Sequence, residues 1–148
     1  MRRSSVLAAS AVVLVGAGGV LAGCSSPVEV AVPPSSPACR TPAWPSTVAG
    51  HERVDTSPSS PRVAAWGDPA VIARCGVAAL APTTDQCVEV SGVDWVAVPL
   101  SDGAKFTTFG TTPALEVLVP SAYAPEPLLL PAFAAVAKSL PTNGLTCR

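Results

Sequence analysis

The chain has 148 residues with a formal net charge of −1, which is long enough for one domain with a modest core. Without Arg2 and Arg3 near the amino terminus, seven Lys and Arg remain against ten Asp and Glu, a formal charge of −3. This acidic balance argues against a nucleic-acid partner and against adhesion to an anionic membrane through a basic patch.

The amino terminus has the layout of a secretory signal, with Arg2 and Arg3 as its positive region and Val6 to Val20 as its apolar region. The run Leu21-Ala22-Gly23-Cys24 follows, which is typical of a bacterial lipobox. The pattern predicts a lipoprotein signal peptide over 1–23 and a lipid anchor, such as palmitate, on Cys24. It places the protein on the extracytoplasmic side of the cell membrane.

Two alternatives stay open for this segment. The apolar run is almost long enough to cross a bilayer and be retained, although Gly16, Gly18 and Gly19 weaken a helix there. Arg2 and Arg3 also form half of a twin-arginine signal, which would mean export after folding.

Residues 24–38 have the composition of a tether. Ser25 to Pro37 contains four serines, one charged residue and four prolines. At about 3.1 Å per residue in polyproline geometry, this segment would hold the domain up to about 40 Å from the bilayer. A single globular domain is expected over 39–148.

The cysteine count fits an exported protein, since oxidising compartments favour disulfides. With Cys24 taken for the lipid, an even number remains: Cys39, Cys75, Cys87 and Cys147. We predict two disulfides, and we favour a short loop between Cys75 and Cys87. The second bridge then joins Cys39 and Cys147, the two ends of the domain. No pair has Cys-x-x-Cys spacing, so neither zinc nor a redox dithiol is expected.

Alternating apolar residues predict strands over 71–75 and 115–119. Ser91-Gly92 is typical of a two-residue hairpin turn, and Asp102-Gly103 turns the chain again before 105–109. These elements predict an antiparallel sheet of about four strands.

A helix is expected near the carboxyl terminus, where four apolar residues have helical spacing: Leu129, Phe133, Val136 and Leu140. Pro131 is acceptable as its first residue, and Asn143-Gly144 is a stop signal. The fold class is therefore α+β, with the helix packed on one face of the sheet and two disulfides holding the domain together.

The hairpin turn also predicts a register. Val90 then faces Val93, Val88 faces Trp95, and Glu89 faces Asp94 on the opposite face of the sheet, with the two carboxylates about 5 Å apart. A solvated polar face is the ordinary interpretation, with Arg74 as a candidate to screen the two charges. A hard-cation site and a catalytic pair of carboxylates are the alternatives.

Three segments carry a family resemblance: 65–72 (Ala-Trp-Gly-Asp-Pro-Ala-Val-Ile), 74–77 (Arg-Cys-Gly-Val) and 92–95 (Gly-Val-Asp-Trp). Together they resemble an actinobacterial envelope family, the domain of unknown function numbered 3515. The resemblance covers roughly Cys39 to Cys147. It implies an exported or membrane-attached protein and carries no assigned chemistry.

The conspicuous residues of these segments have ordinary structural roles, since Gly67 permits a turn and Asp68 can bond nearby amides. The functional alternative is that Trp66 and Asp68 form an exposed aromatic and acceptor pair that binds sugar rings. We expect Trp95 in the core, because its strand partner is Val88, and Trp44 at the surface.

No catalytic residues are predicted. The only histidine, His51, lies in a polar segment, and no Gly-x-Ser-x-Gly, His-Glu-x-x-His, phosphate-binding or dinucleotide motif occurs. No metal or cofactor is expected either. The sequence favours a binding or assembly module for an envelope protein or cell-wall component. A small-ligand or cation-binding lipoprotein and an envelope hydrolase that uses acidic residues remain alternatives.

Overall fold

In a computed structural model, residues 26–147 are described. The predicted signal peptide and Cys24 lie outside this range. The strands are β1 Val28–Glu29, β2 Thr47–Val48, β3 His51–Val54, β4 Thr56–Ser57, β5 Val63–Trp66, β6 Val71–Val77, β7 Gln86–Val90, β8 Val93–Leu100, β9 Gly103–Thr108 and β10 Ala114–Pro120. The helices are α1 Ala134–Lys138 and three 3-10 helices, Pro37–Cys39, Ser121–Tyr123 and Glu126–Phe133.

The main sheet has eight antiparallel strands in the order β2-β3-β5-β6-β10-β9-β8-β7. The prediction of about four strands was therefore wrong. Of the missed strands, β2 has only two residues, β3 is mostly polar and exposed, and all four residues of β5 are buried. Apolar and polar residues alternate only along a strand that has one face in solvent and one in the core, so this pattern could not identify these strands.

The β7–β8 hairpin has the predicted register, with Val90 opposite Val93, Val88 opposite Trp95, and Glu89 opposite Asp94. Its turn residues both have positive φ, 55° at Ser91 and 74° at Gly92. Such values define a type I′ turn, whose twist matches that of the flanking strands.

One side of the sheet, the helix face, carries the core. Trp66, Trp95 and Phe106 are almost fully buried there against Phe133 and the α1 segment. The predicted C-terminal helix is present, but it opens as a 3-10 helix that contains Pro131 and becomes α-helical only at Ala134. A proline inside a segment removes a backbone donor, which agrees with the later start of regular α-helix.

The opposite side, the outer face, carries a part-buried ion pair between Arg74 and Glu116, which lie side by side on β6 and β10. The amino-terminal segment covers this pair, since Arg74 Nη1 donates to the Ala31 carbonyl at 3.3 Å. β1 pairs in parallel with β4 as part of this cover, and Val30 is 9% exposed.

The free tether predicted over 24–38 is therefore wrong from residue 28 onward. Proline and serine content suggested a solvated spacer, but Val28 and Val30 supply a strand that bonds to the domain, and Pro33 is buried.

Both pairings of the predicted disulfides were wrong, although two disulfides form: Cys39–Cys75 and Cys87–Cys147. β6 and β7 follow each other in the sequence, but β10, β9 and β8 lie between them in the sheet. Four inter-strand steps of about 4.8 Å separate their chains far beyond disulfide reach.

The sheet has two ends, which we name by their turns. The Asp68 end carries the β5–β6 turn 67–70, the β8–β9 turn 101–102 and the 3-10 helix Ser121–Tyr123. The Gly92 end carries the β7–β8 turn and the carboxyl-terminal residues 141–147. No helix within 26–147 is both long and apolar enough to span a bilayer.

Candidate functional site

The feature that sets β7 apart is its unpaired outer side. β7 is the last strand of the sheet and pairs only with β8. The Asp94 carbonyl accepts a hydrogen bond from the Phe109 amide at 2.8 Å, so it points away from β7. By the alternation of an antiparallel ladder, the N–H and C=O of Glu89 opposite it point away from β8, and those of Cys87 do the same. Within residues 26–147 no hydrogen bond reaches these four groups.

The predicted carboxylate pair lies at the Gly92 end of this edge, and the two residues have different surroundings. Glu89 is exposed, whereas Asp94 is half-buried and its Oδ2 accepts the Cys147 amide at 2.8 Å. Both line a depression of about 410 Å³ that also contains Lys138. The Lys138 ammonium lies over the turn, 3.4 Å from the position that a Cβ on Gly92 would take.

The Asp94 carboxylate therefore holds the carboxyl-terminal segment through its hydrogen bond to Cys147, and Lys138 is the positive charge near the hairpin turn. Arg74, which we expected to screen the pair, does not: it lies three strands from β8 and its Nε donates to Glu116 Oε1 at 2.9 Å. Lys138 was missed because only the packing of α1 brings it to the hairpin.

A second depression, of about 550 Å³, lies beside the Cys87–Cys147 disulfide on the outer face. The loop that precedes β7 forms one wall, and the carboxyl-terminal residues 145–147 form the other. Thr83 donates its hydroxyl to the Asp85 carboxylate at 2.9 Å and accepts the Asp85 amide at 3.1 Å. Thr83 and Asp85 thus bond to each other, and the depression is open to solvent.

The proposed sugar-binding pair of Trp66 and Asp68 does not exist as a surface. Trp66 is fully buried, its indole N–H donates to the Pro45 carbonyl at 3.1 Å, and its ring packs edge-on against Phe133. Asp68 is exposed in the turn that follows. The neighbouring Gly67 and Pro69 form a turn, which suggested exposure, but the tryptophan side chain enters the core from the last position of β5.

The other two tryptophans also have settled positions. Trp95 is fully buried, as predicted. Trp44 was expected at the surface but is half-buried, where its indole N–H donates to the Pro61 carbonyl at 2.8 Å and its ring contacts Trp66. Trp66 and Trp95 are thus fully buried and Trp44 is half-buried, so none of the three is a fully exposed aromatic platform.

A third depression, of about 670 Å³, lies at the Asp68 end. His51, Glu52, Arg53 and Asp68 line it, together with Ser26 at the start of the described chain. The His51 ring packs edge-on against Tyr123, whose hydroxyl donates to the Pro69 carbonyl at 2.8 Å. This groove mixes both signs of charge and has no enclosed polar centre.

The residues from 26 to 147 contain no group of three or more His, Cys, Asp or Glu side chains placed to hold a metal ion. The carboxylates singled out by the sequence, Asp68, Glu89 and Asp94, do not converge either, because Asp68 lies at the opposite end of the sheet. The structure thus brings together Glu89 and Asp94 alone. The structure also shows that Glu89 lies on an edge strand whose outer backbone groups are unpaired within residues 26–147.

Comparison with known proteins assigns the family. The family described as "Protein of unknown function (DUF3515)" matches residues 6–144, nearly the whole chain, and the chain belongs to it. The resemblance of the three signature segments is thereby confirmed as to family. No curated protein and no solved structure matches the chain.

Proposed function

We propose that this protein is a lipid-anchored envelope protein that acts as an assembly module, and that it binds an extended segment of another envelope protein as an added strand beside β7. The observation that carries the proposal is the unpaired outer side of β7, with the N–H and C=O groups of Cys87 and Glu89 directed outward. An exposed sheet edge of this kind is a template for strand addition.

The opposite edge of the sheet supports this choice by contrast. β2 has two residues, one of which, Val48, is buried at 2% exposure. β7 has five residues, about 17 Å of strand, and both Gln86 and Glu89 are exposed. Only β7 is long enough to receive several backbone hydrogen bonds from a partner.

Glu89 indicates what the partner strand carries. Its carboxylate stands in the middle of the open edge, and two copies of the chain paired there would place like charges close together, which is unfavourable. A strand with Lys or Arg opposite Glu89 gains the favourable pair instead. The partner is therefore a different protein with a basic residue on the outer face of its added strand.

The anchoring part of the proposal rests on the Leu21-Ala22-Gly23-Cys24 lipobox. A lipid on Cys24 would hold the domain at the extracytoplasmic side of the membrane, in keeping with the actinobacterial envelope family that the sequence resembles. The disulfides fit the same oxidising location. Anchoring and strand addition together describe a protein that assembles a partner at the membrane surface.

The test compares proline and alanine at position 89 in anchored protein that carries a photocrosslinking residue at Gln86. Glu89→Pro removes the outward N–H and leaves the inward ladder to β8 intact, as edge strands tolerate. We expect crosslinking to one basic extended segment, identified by mass spectrometry, in the parent protein. Glu89→Ala should retain part of that crosslink, and Glu89→Pro should abolish it.

Val88→Pro is the folding control, since the backbone of Val88 bonds inward and its replacement should unfold the hairpin. Equal crosslinking in the Glu89→Pro and Glu89→Ala proteins would contradict strand addition. Recovery of a small molecule in place of a protein segment would favour the ligand-binding alternative, with the depression beside Cys87–Cys147 as its site.

A further inference from the structure

The amino-terminal segment determines how far the domain stands from its anchor, an inference that rests on the proposed lipidation of Cys24. The Val28 amide donates to the Asp55 carbonyl at 2.8 Å, and the Val30 amide donates to the Ser57 carbonyl at 2.9 Å. From Val28 onward this segment is part of the folded domain.

Beyond this point the segment stays fixed. Pro34 lies so close to β6 that a Cβ on Gly76 would be 2.9 Å from its carbonyl oxygen, and Cys39 is bonded to Cys75. The chain therefore crosses the outer face from the Asp68 end to the other end and then turns onto the helix face. None of residues 28–39 is available as a spacer.

The remaining link is short. Only three residues, Ser25 to Pro27, lie between Cys24 and Val28, and the four steps from Cys24 to Val28 span at most about 14 Å even when the chain is fully extended. A free segment through Pro37 would have allowed about 40 Å. The domain is thus held within a few residues' length of the lipid.

The position of Ser26, two residues after Cys24, identifies the end that faces the bilayer. Ser26 lines the same groove as Asp68 and His51, at the Asp68 end. The same end carries Leu100, which is 41% exposed and is one of two exposed large apolar side chains among residues 26–147. Leu100 borders an apolar notch with Ile72 and Leu118 on the outer face.

We propose that the Asp68 end of the sheet lies against the phospholipid headgroups of the membrane that holds the anchor, with Leu100 at the contact. The charges there have both signs, Asp68 and Asp102 against Arg53, so attraction to anionic lipid is not what places the domain. The short covalent link to the lipid and the exposed side chain of Leu100 hold this end of the domain at the membrane surface.

This orientation directs the Gly92 end away from the membrane. β8 runs from Val93 to Leu100, about 23 Å, so the hairpin turn stands roughly that far beyond the headgroups. The open part of β7 near Glu89 would then face the envelope space, accessible to a partner.

The experiment uses the lipidated mature protein in nanodiscs of phosphatidylglycerol and phosphatidylethanolamine, doped with a lipid that carries a gadolinium chelate on its headgroup. Amide NMR signals lose intensity near the chelate. We expect loss at Asp68 and Asp102 and full intensity at Gly92 and Thr142. A Gly-Ser insertion of about 15 residues between Ser26 and Pro27, with a root-mean-square reach of ~20 Å, should restore much of the lost intensity.

Leu100→Ser sharpens the assignment, because it should reduce the loss at Asp102 without changing the fold. Uniform loss, or none at the Asp68 end of protein whose lipid is confirmed by mass spectrometry, would overturn the proposed contact and leave anchoring intact. A mass without lipid on Cys24 would overturn the anchor, and this inference with it. Neither result is evidence for or against strand addition at β7, which the crosslinking experiment tests separately.

Discussion

The two edge strands of the eight-stranded sheet, β2 and β7, differ in length and in the contacts that hold them. At the β2 edge the strand has two residues, and the chain before it is fastened by the Trp66 bond to Pro45 and the Trp44 bond to Pro61. At the β7 edge the strand has five residues and an unpaired backbone, and its fastening lies on the outer face, in the Cys87–Cys147 disulfide. We call the β2 edge the closed edge, because its strand is short and tryptophan side chains fasten the neighbouring chain. We call the β7 edge the open edge, because its outer backbone groups have no partner within residues 26–147, although a disulfide holds the strand in place.

The difference indicates how a small domain can be both stable and able to bind. Natural sheets protect exposed edges with short strands or with charges. β2 uses the first device and β7 uses the second, in Glu89. A charge prevents unwanted pairing without covering the backbone, so β7 stays available to a partner of opposite charge.

The largest effect should come from Trp66→Ala at the closed edge. Trp66 is fully buried and contacts Phe133 and Trp44, so truncation opens a cavity and should lower the free energy of unfolding by about 3–5 kcal/mol. Urea denaturation followed by circular dichroism measures it. Trp44→Ala is the matched control and should cost clearly less, since Trp44 is only half-buried. Equal costs would mean that Trp66 does not anchor the closed edge.

Removal of the Cys87–Cys147 disulfide tests the brace at the open edge. The bridge closes a sequence separation of 60 residues, and Cys87→Ser with Cys147→Ser should destabilise the protein by about 2–4 kcal/mol. The amides of β7 should lose more protection from hydrogen exchange than those of β6. Protection lost evenly across the sheet would contradict a local bracing role.

Arg74→Met should lower the free energy of unfolding by about 2 kcal/mol. This is less than the ~3–5 kcal/mol expected when one partner of a fully buried ion pair is removed, because the Arg74 side chain is 24% exposed. Glu116 then keeps a buried carboxylate without its partner, and the Ala31 carbonyl in the amino-terminal segment loses the hydrogen bond that Arg74 donates. Thermal denaturation gives the cost. Adding Glu116→Gln should recover part of it, and exposed Arg53→Met should have almost no effect. A double variant no better than the single one would contradict the burial argument.

Glu89→Lys should have the smallest effect on stability and a large one on binding. It replaces a repulsion with Asp94 by an attraction, so the change in unfolding free energy should be within about 0.5 kcal/mol. Crosslinking from position 86 to the basic partner segment should fall sharply, and Thr84→Lys, at an exposed position in the loop before β7, serves as the control. Undiminished capture would mean that charge does not select the partner.

Local features of this fold were predictable from sequence and distant ones were not. Ser91-Gly92 and the alternation on either side of it determine the hairpin, so its register was predicted correctly. The position of β10 between β6 and β9 depends on contacts between residues far apart in the chain. Because that insertion was not visible, both disulfide pairings and the role of Arg74 were predicted wrongly.

The candidate site shows the same limit. Sequence placed Glu89 opposite Asp94, but only the strand order shows that Glu89 stands on an open edge. Composition predicted a free spacer before Cys39, whereas Val28 and Val30 pair with the domain, because a few apolar residues in the right register outweigh proline and serine content. Burial of Trp66 was missed since its neighbours Gly67 and Asp68 indicate a turn.

The most direct test of strand addition is amide hydrogen exchange along β7, in the free protein and in the crosslinked complex with its partner segment. In the free protein we expect fast exchange for the Cys87 and Glu89 amides and slow exchange for Val88 and Val90, which bond to β8. In the complex the Glu89 amide should become as slow as its neighbours. A Glu89 amide that still exchanges rapidly in the complex would contradict the account, because the partner would then bind elsewhere than on the open edge.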